Sequence, residues 1–333
     1  MKTNHITSTK LQPNLQQARP QINQRDHQLR QINTPLKPQI MAPVTPMSHP
    51  KSARSARANV SDIALLTRQA WIIGKSYGAS LFKPREPEGR SPSLQADYDQ
   101  FLKDLGAYHK HRVVGLENLP QKGPFILVFQ HTFSTYHLLL LDQVLRQEKN
   151  LEIEPIVASQ ALYTPMLGYG IRKLLGGQKA CHKNAENILD GGGVLAVSPG
   201  GIKAFLRPET EKYQPDLMNH KGFIRLAMKK GVPIVCVACP GGDDVIVNRG
   251  GRLTSWLFEH LRIPFPIFEG NRGYMLPFPK SKELIHAISK PIDIPKKATP
   301  TKEAIDRAYA IVERSMNRAI IDAQTEFIEP SPL

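Results

Sequence analysis

The stretch GVLAVSPGGIKAFLRPETEKY, residues 193–213, combines an apolar strand with a glycine turn and a nearby cation. The apolar residues Val194 to Val197 lead directly into Pro199-Gly200-Gly201, and Lys203 follows two residues later. Consecutive glycines allow the backbone to approach a ligand closely and to turn its amide groups outward. The pattern therefore predicts an anion-binding site at the end of a buried strand, and phosphate is the expected ligand.

A second apolar strand upstream ends in a histidine. Residues 125–129 read FILVF and are followed by Gln130 and His131. Histidine is the side chain whose ordinary pKa suits a base near neutral pH. A base and an anion site at the ends of two strands predict group transfer involving a phosphate-bearing substrate.

Apolar strands alternate with helical patterns through most of the chain. Strands are predicted at 112–115, 125–130, 153–158, 193–198, 232–239 and 284–294, and helices at 93–106, 134–149, 164–175, 183–190, 219–230 and 300–323. Strands that are apolar on both faces and lie between helices indicate a sheet that helices cover on both sides. The predicted fold class is α/β, with a central, mostly parallel sheet between two helical layers.

Four segments follow from this pattern and from the composition. Residues 1–60 form a basic tail, 61–110 an amphipathic and polar helical lead-in, 111–325 the α/β domain, and 326–333 a frayed C-terminus. The tail holds nine basic residues and one acidic residue, so it carries 9 − 1 = +8 of the chain's net charge of +15. It contains no Phe, Tyr or Trp. Such a segment buries too little apolar surface to offset its chain entropy, so we expect disorder.

The basic tail leaves two functions open, a solvated extension or a tether to an anionic membrane surface. Nucleic-acid binding is not expected, because no zinc-finger, aromatic-stacking or helix-turn-helix pattern accompanies the charge. The segment from Asp62 to Lys83 carries an apolar stripe that Arg68 and Lys75 interrupt. This helix is expected either to lie in a membrane interface or to cap the domain.

The cysteines and the lengths of the apolar runs indicate the cellular location of the protein. Cys236 and Cys239 have C-x-x-C spacing, but they lie in an apolar strand without a second pair of ligands, so we expect buried thiols and no metal site. No run of 18 uninterrupted apolar residues occurs, and no spanning helix is predicted. The expected location is cytoplasmic and peripheral to a membrane.

Five landmarks, taken in order, resemble the glycerolipid acyltransferase superfamily. They are VVGLENLPQKGPFILVFQH (113–131), LYTPMLGYGIRKLLGG (162–177), NAENILDGGGVLAVSPGGIKAFL (184–206), HKGFIRLAMKKGVPIVCVAC (220–239) and ISKPIDIP (288–295). The Ser-Pro-Gly-Gly form is most similar to the diacylglycerol acyltransferase and phytyl-ester synthase branch. The resemblance implies transfer of a fatty acyl chain from acyl-CoA or acyl carrier protein to a hydroxyl of a glycerolipid or related lipid alcohol. It implies no metal and no cofactor beyond this co-substrate.

The resemblance also implies a catalytic histidine at the end of the first central strand, with an aspartate after four or five intervening residues. His131 occupies the strand-end position, but Tyr136 and His137 stand where the aspartate is expected. The pair His137 and Asp142 has the family's spacing, yet residues five positions apart on a helix lie about 140° apart. The base is therefore His131 or His137. A lipid-binding protein with impaired catalysis is the alternative function.

The expected phosphate site also departs from the family. Gly200 stands where the acylglycerolphosphate enzymes have a glutamate, and Lys203 where the related branch has an arginine. A third family cation corresponds to His182, with Lys183 adjacent. The candidate phosphate-binding residues are therefore Pro199, Gly200, Gly201, Lys203, His182 and Lys183.

Overall fold

The structure, a computed structural model, describes residues 61–81, 89–133, 136–215, 217–261, 267–276 and 278–327. The predicted basic tail, residues 1–60, lies outside the described residues, as do residues 328–333 of the C-terminal segment. The disorder expected for the tail therefore stays a prediction.

Ten strands and eleven α-helices are found in the described part of the chain. The strands are β1 (Arg112–Val114), β2 (Phe125–Phe129), β3 (Ile153–Val157), β4 (Gln178–Lys179), β5 (Val194–Val197), β6 (Ile234–Ala238), β7 (Val247–Asn248), β8 (Phe268–Gly270), β9 (Gly273–Tyr274) and β10 (Ile285–Ile288). The helices are α1 (Asp62–Leu81), α2 (Pro92–Tyr108), α3 (His137–Lys149), α4 (Ser159–Leu162), α5 (Leu167–Leu175), α6 (His182–Asp190), α7 (Gly201–Phe205), α8 (Gly222–Lys230), α9 (Gly242–Val245), α10 (Gly251–Leu261) and α11 (Lys302–Thr325).

Seven strands form the main sheet in the order β1-β10-β6-β2-β5-β3-β4. The pairs of β2 with β5, β2 with β6 and β3 with β5 are parallel, whereas β10 runs antiparallel to β6. Strands β7, β8 and β9 form a separate antiparallel sheet. The predicted α/β class with a mostly parallel sheet is confirmed.

Alternate residues of the central strands face two different cores. Ile126 and Val128 of β2 pack in a cluster with α6, α8 and α11, whereas Phe125, Leu127 and Phe129 pack with α3 on the other face. The five residues of β2 are all buried, as the four of β5 are. This two-sided burial is the physical reason why the strands appear in the sequence as continuous apolar runs.

Helices α1 and α2 add a third apolar cluster beside α3 and α5. Leu65 of α1 is buried there, and Ile73 and Tyr77 pack against the same cluster. The opposite side of α1 leaves Ile63, Trp71 and Leu81 exposed. The helix therefore caps the domain and also presents apolar side chains to its surroundings.

Several boundaries differ from the predicted ones. Helix α3 begins at His137 rather than at 134, and the strand predicted over 284–294 ends at Ile288. After β10 the Ser289 hydroxyl accepts a hydrogen bond from the Cys236 N–H, and pairing continues only as a bridge between Ile234 and Ile292. Pro291 has no N–H for a ladder bond, which explains the early end of the strand. Helix α10 and the small sheet were not predicted.

Candidate functional site

The carboxyl ends of β2, β5 and β6 meet at one edge of the main sheet. Val128 of β2 pairs with Val197 of β5, and Phe129 pairs with Val237 of β6. Because the three strands are parallel and adjacent, His131 after β2 and the turn at residues 199–201 after β5 emerge side by side. Ligands often bind at this end of an open α/β sheet.

His131 lies partly exposed at this edge, against aromatic side chains. Its ring contacts Phe205 edge-on with a centroid separation of 5.8 Å, and Phe205 stacks on Phe133 at 4.6 Å. Desolvation lowers the pKa of His131 to about 4, an interaction with the Thr132 carbonyl opposes this, and the charge of Arg207 lowers it further. The imidazole is therefore neutral near pH 7 and has a lone pair available to accept a proton.

Tyr136, at the position where the family's aspartate is expected, has a different partner. Its hydroxyl forms a 2.7 Å hydrogen bond with Nε2 of His109, whose Nδ1 bonds the carbonyl oxygen of Lys282. Among the residues that the structure describes, no carboxylate forms a hydrogen bond with the His131 ring. The histidine is thus held by packing rather than by an adjacent acid.

A buried ion pair holds the backbone at His131. The Arg207 guanidinium donates to the main-chain carbonyl of His131, to that of Gln214 at 3.1 Å, and to both carboxylate oxygens of Asp243. Both side chains of the pair are only 5% exposed. Desolvation raises the pKa of Asp243, and Arg207 opposes this rise. The pair joins the segments that follow β2, β5 and β6.

The glycine turn after β5 is uncrowded at Gly201. Gly201 has a φ of 56°, and a Cβ at this position would meet no atom within 4 Å, so the left-handed backbone rather than crowding favours glycine. The Pro199 carbonyl accepts a 2.5 Å hydrogen bond from Nδ1 of His220. The buried Ser198 hydroxyl oxygen has no hydrogen-bond partner among the described residues. The turn thus combines free space with an unsatisfied polar group.

The expected cations lie at different distances from this turn. Lys203 is on α7 beside it, with a side chain 51% exposed and 3.5 Å from a carboxylate oxygen of Glu259. His182 and Lys183 are exposed at the start of α6. That helix follows β4, which β3 separates from β5. The structure therefore brings Lys203 to the turn, whereas His182 and Lys183 begin two strands away.

His137 and Asp142 belong to separate networks. His137 is buried, and its ring nitrogens bond Thr132 Oγ1 and His286 Nε2, each at 2.9 Å. Asp142 is paired with Arg90 at 2.9 Å and with Arg146 at 3.0 Å. The described residues show no hydrogen bond between His137 and Asp142. Asp142 ties α3 to its neighbours, and its carboxylate does not orient His137.

The sequence interpretation missed a buried histidine cluster next to this site. His286 Nδ1 bonds His111 Nε2 at 2.8 Å, which extends the contact between His137 and His286 into a chain of three rings. His109 and Tyr136 adjoin it. A signal was available, because His286 lies within the apolar run LIHAI and a histidine in a buried strand needs a partner.

The described part of the chain contains no helix that is both long enough and apolar enough to cross a bilayer.

The chain matches the sequence model of one protein family and is similar to several known proteins. The sequence model of the diacylglycerol acyltransferase family matches residues 143–319, just over half of the 333 residues. The chain is similar to the Bos taurus protein named DGAT1/2-independent enzyme synthesizing storage lipids, with 29% identity over 168 residues, 49% of each chain. It is also similar to diacylglycerol O-acyltransferase 2 of Dictyostelium discoideum, with 25% identity over 240 residues, 66% of this chain and 65% of the relative.

The matches cover between about half and two thirds of these relatives' own lengths. Among solved structures, the 1-acyl-sn-glycerophosphate acyltransferase PlsC of Thermotoga maritima aligns with 77% of this chain and 96% of its own. The sequence identity is 18% and the TM-score is 0.38.

Proposed function

Because the chain belongs to the diacylglycerol acyltransferase family, we propose that it is an enzyme that transfers a fatty acyl chain to a lipid hydroxyl. The acceptor is a glycerolipid or a related lipid alcohol, and the donor is a thioester, acyl-CoA or acyl carrier protein. The observation that carries the proposal is the meeting of His131 and the glycine turn at one sheet edge. The family match includes the β5 turn, which supports its assignment as a substrate-binding element.

The neutral His131 imidazole acts as the general base. It accepts the proton of the acceptor hydroxyl as the oxygen attacks the thioester carbonyl carbon. The tetrahedral intermediate then collapses, the carbon–sulfur bond breaks, and the imidazolium returns the proton to the leaving thiolate. The products are an ester and a free thiol, and no acyl-enzyme is formed. Arg207 and Asp243 contribute by holding the backbone of His131 in place.

The glycine turn binds the phosphate of the donor or of a phosphate-bearing acceptor. Lys203 supplies a positive charge beside Gly200 and Gly201, and it exchanges Glu259 for the ligand on binding. His182 and Lys183 serve at most a more distant part of a long ligand, because β3 separates β4, which precedes them, from the strand that leads into the turn.

A second candidate function, lipid binding without turnover, is favoured by one observation. Tyr136 stands where an aspartate is expected, and it bonds His109 instead of His131. One assay separates the two candidates. Purified full-length protein is incubated with labelled acyl-CoA or with labelled acyl chains on acyl carrier protein, and with lysolipids, diacylglycerol or long-chain alcohols. Formation of labelled ester supports the enzyme. Saturable lipid binding without any ester formation, with either thioester donor, supports the alternative.

We also propose that the enzyme is a peripheral protein at the cytoplasmic face of a membrane. The exposed side chains of Ile63, Trp71 and Leu81 on α1 suit the interfacial region of a bilayer. The basic residues of 1–60 suit anionic headgroups. This location would give the enzyme access to an acceptor that is itself dissolved in the membrane.

A further inference from the structure

Two histidines and a cysteine form a buried group beside the candidate catalytic edge. His137 begins α3, His286 lies in β10, and Cys239 follows β6, and each is at most 2% exposed. One donor atom from each residue lies within 4.8 Å of the other two. The proposed acyl transfer uses none of these three side chains.

The two rings are oriented as metal-binding histidines are. Nδ1 of His137 and Nε2 of His286 face each other at 2.9 Å. The outward nitrogen of each ring has its own partner, Thr132 Oγ1 for His137 and His111 Nε2 for His286, at 2.9 and 2.8 Å. Histidine ligands generally use one nitrogen for the metal and the other for such a hydrogen bond, which fixes ring orientation and tautomer. Both outer partners are therefore already in place.

Cys239 lies directly after β6 and is only 1% exposed, at the start of the loop that leads to Gly242. Gly242 also packs tightly over the group, since a Cβ there would lie 2.7 Å from Thr132 Oγ1 and 3.0 Å from His137 Cδ2. The loop after β6 can close over the site only because this residue is glycine.

We propose that His137 Nδ1, His286 Nε2 and Cys239 Sγ form a zinc site that joins α3, β10 and the end of β6. Two imidazoles and a thiolate are ligands that Zn²⁺ prefers, and the absence of a carboxylate from the set disfavours Mg²⁺ and Ca²⁺. The three donors leave one coordination position open to a further ligand. The proposed site stands independently of the acyl transfer.

Binding requires the donor atoms to move and one proton to leave. With a Zn–S distance of about 2.3 Å, Cys239 Sγ must lie about 3.6 Å from each nitrogen, whereas the three donor atoms now span up to 4.8 Å. With Zn–N distances of about 2.0–2.1 Å in a tetrahedral site, the two nitrogens must separate to about 3.3 Å, a few tenths of an ångström beyond their present distance. The metal then replaces the hydrogen bond between the two rings, and the proton of that bond moves to the outer nitrogen of the ring that carried it. The Cys239 proton leaves to solvent as the Zn–S bond forms, so binding is favoured by raising the pH.

Metal analysis of the full chain, purified without chelator and without a polyhistidine tag, tests the site. We expect elemental mass spectrometry to find about one zinc ion per chain, as for a single site. Protein stripped with a chelator and titrated with CoCl₂ should develop a thiolate-to-cobalt charge-transfer band. If wild-type protein holds no stoichiometric zinc and shows no such band, the proposal is overturned and the cluster is a metal-free hydrogen-bond network.

Three variants assign the ligands. Cys239→Ser should lose the charge-transfer band, while Cys236→Ser, a control in the same strand whose thiol bonds the Val312 carbonyl, should keep it. His111→Gln, which changes only the outer partner of His286, should weaken zinc affinity by about 10- to 100-fold in competition with a colorimetric chelator. A band that persists in Cys239→Ser, or an affinity unchanged in His111→Gln, would remove these residues from the site.

Discussion

At the level of single residues, replacing His131 by alanine tests whether its imidazole is the general base. We expect kcat to fall by about 100- to 10,000-fold, the usual contribution of a positioned general base. His260→Ala is the matched control, because this exposed histidine lies on α10 and its ring bonds the Trp256 carbonyl. Acyl-transfer rates with a labelled donor are the measurement. Activity that survives His131→Ala but disappears in His137→Ala would transfer the role of base to His137.

The pH dependence of the reaction should reflect the lowered pKa of His131. A base works only when unprotonated, so activity is present above its pKa and is lost as the pH falls through that value. With a pKa of about 4, kcat/KM should stay nearly constant from pH 8 to pH 5. A histidine with the ordinary value of about 6.5 would lose roughly nine tenths of the rate by pH 5.5. Circular dichroism at each pH confirms that the protein is folded.

Lys203 tests the phosphate-binding role of the glycine turn. Lys203→Ala should weaken acyl-CoA binding about tenfold, which corresponds to the loss of one charge-assisted hydrogen bond. Lys203→Arg should bind at least as well as the wild type, since a guanidinium offers more donors. Lys229→Ala is the control, because this lysine is similarly exposed and also pairs with a glutamate, Glu186. Calorimetric titration with acyl-CoA compares the wild type with the three variants. The same affinity for all of them would argue against an anion site at the turn.

At the scale of secondary-structure elements, the Arg207 and Asp243 pair connects the segments after three strands. Arg207→Ala leaves the Asp243 carboxylate buried without its main partner, and we expect a loss of about 3–5 kcal/mol in the free energy of unfolding. Arg249→Ala breaks more exposed ion pairs, with Glu209 and Glu269, and should cost under about 1 kcal/mol. Urea unfolding measures both. Equal losses would mean that the buried pair contributes no more than a surface pair.

The same pair should affect catalysis through His131 rather than through substrate binding. In an Arg207→Lys variant, which keeps the charge but loses the planar fork of donors, we expect kcat to fall more than KM rises. The lysine cannot reach both carbonyls and the carboxylate with the same geometry. A change confined to KM would instead indicate that Arg207 contacts the substrate.

At the scale of the whole molecule, the charge distribution and the exposed face of α1 predict reversible membrane binding. Co-sedimentation with vesicles should require anionic lipid and weaken with added salt, because ions screen charges beyond about 8 Å at physiological ionic strength. Deletion of residues 1–60 and Trp71→Ser should each reduce binding. Ile311→Ser, a comparably exposed apolar residue on α11 across the sheet, should not. Equal binding to neutral and anionic vesicles would contradict the electrostatic contribution.

The fold class, the family and the positions of the two candidate site elements could be predicted from the amino-acid sequence. The central strands are buried on both faces, so their apolar runs are visible without any tertiary information. The family resemblance inferred from five ordered landmarks is confirmed by the match to residues 143–319. That His131 and the turn at 199–201 share a sheet edge follows from the parallel direction of β2 and β5 alone.

Which side chains meet at that edge depends on the tertiary packing and could not be predicted from the sequence. Arg207 and Asp243 are 36 residues apart, His137 and His286 are 149 apart, and Tyr136 bonds a histidine 27 residues before it. Periodicity reports which face of an element is buried, but it carries no information on which polar group of a distant element lies opposite. Buried polar atoms must find partners, and the packing of strands and loops decides which partners are within reach.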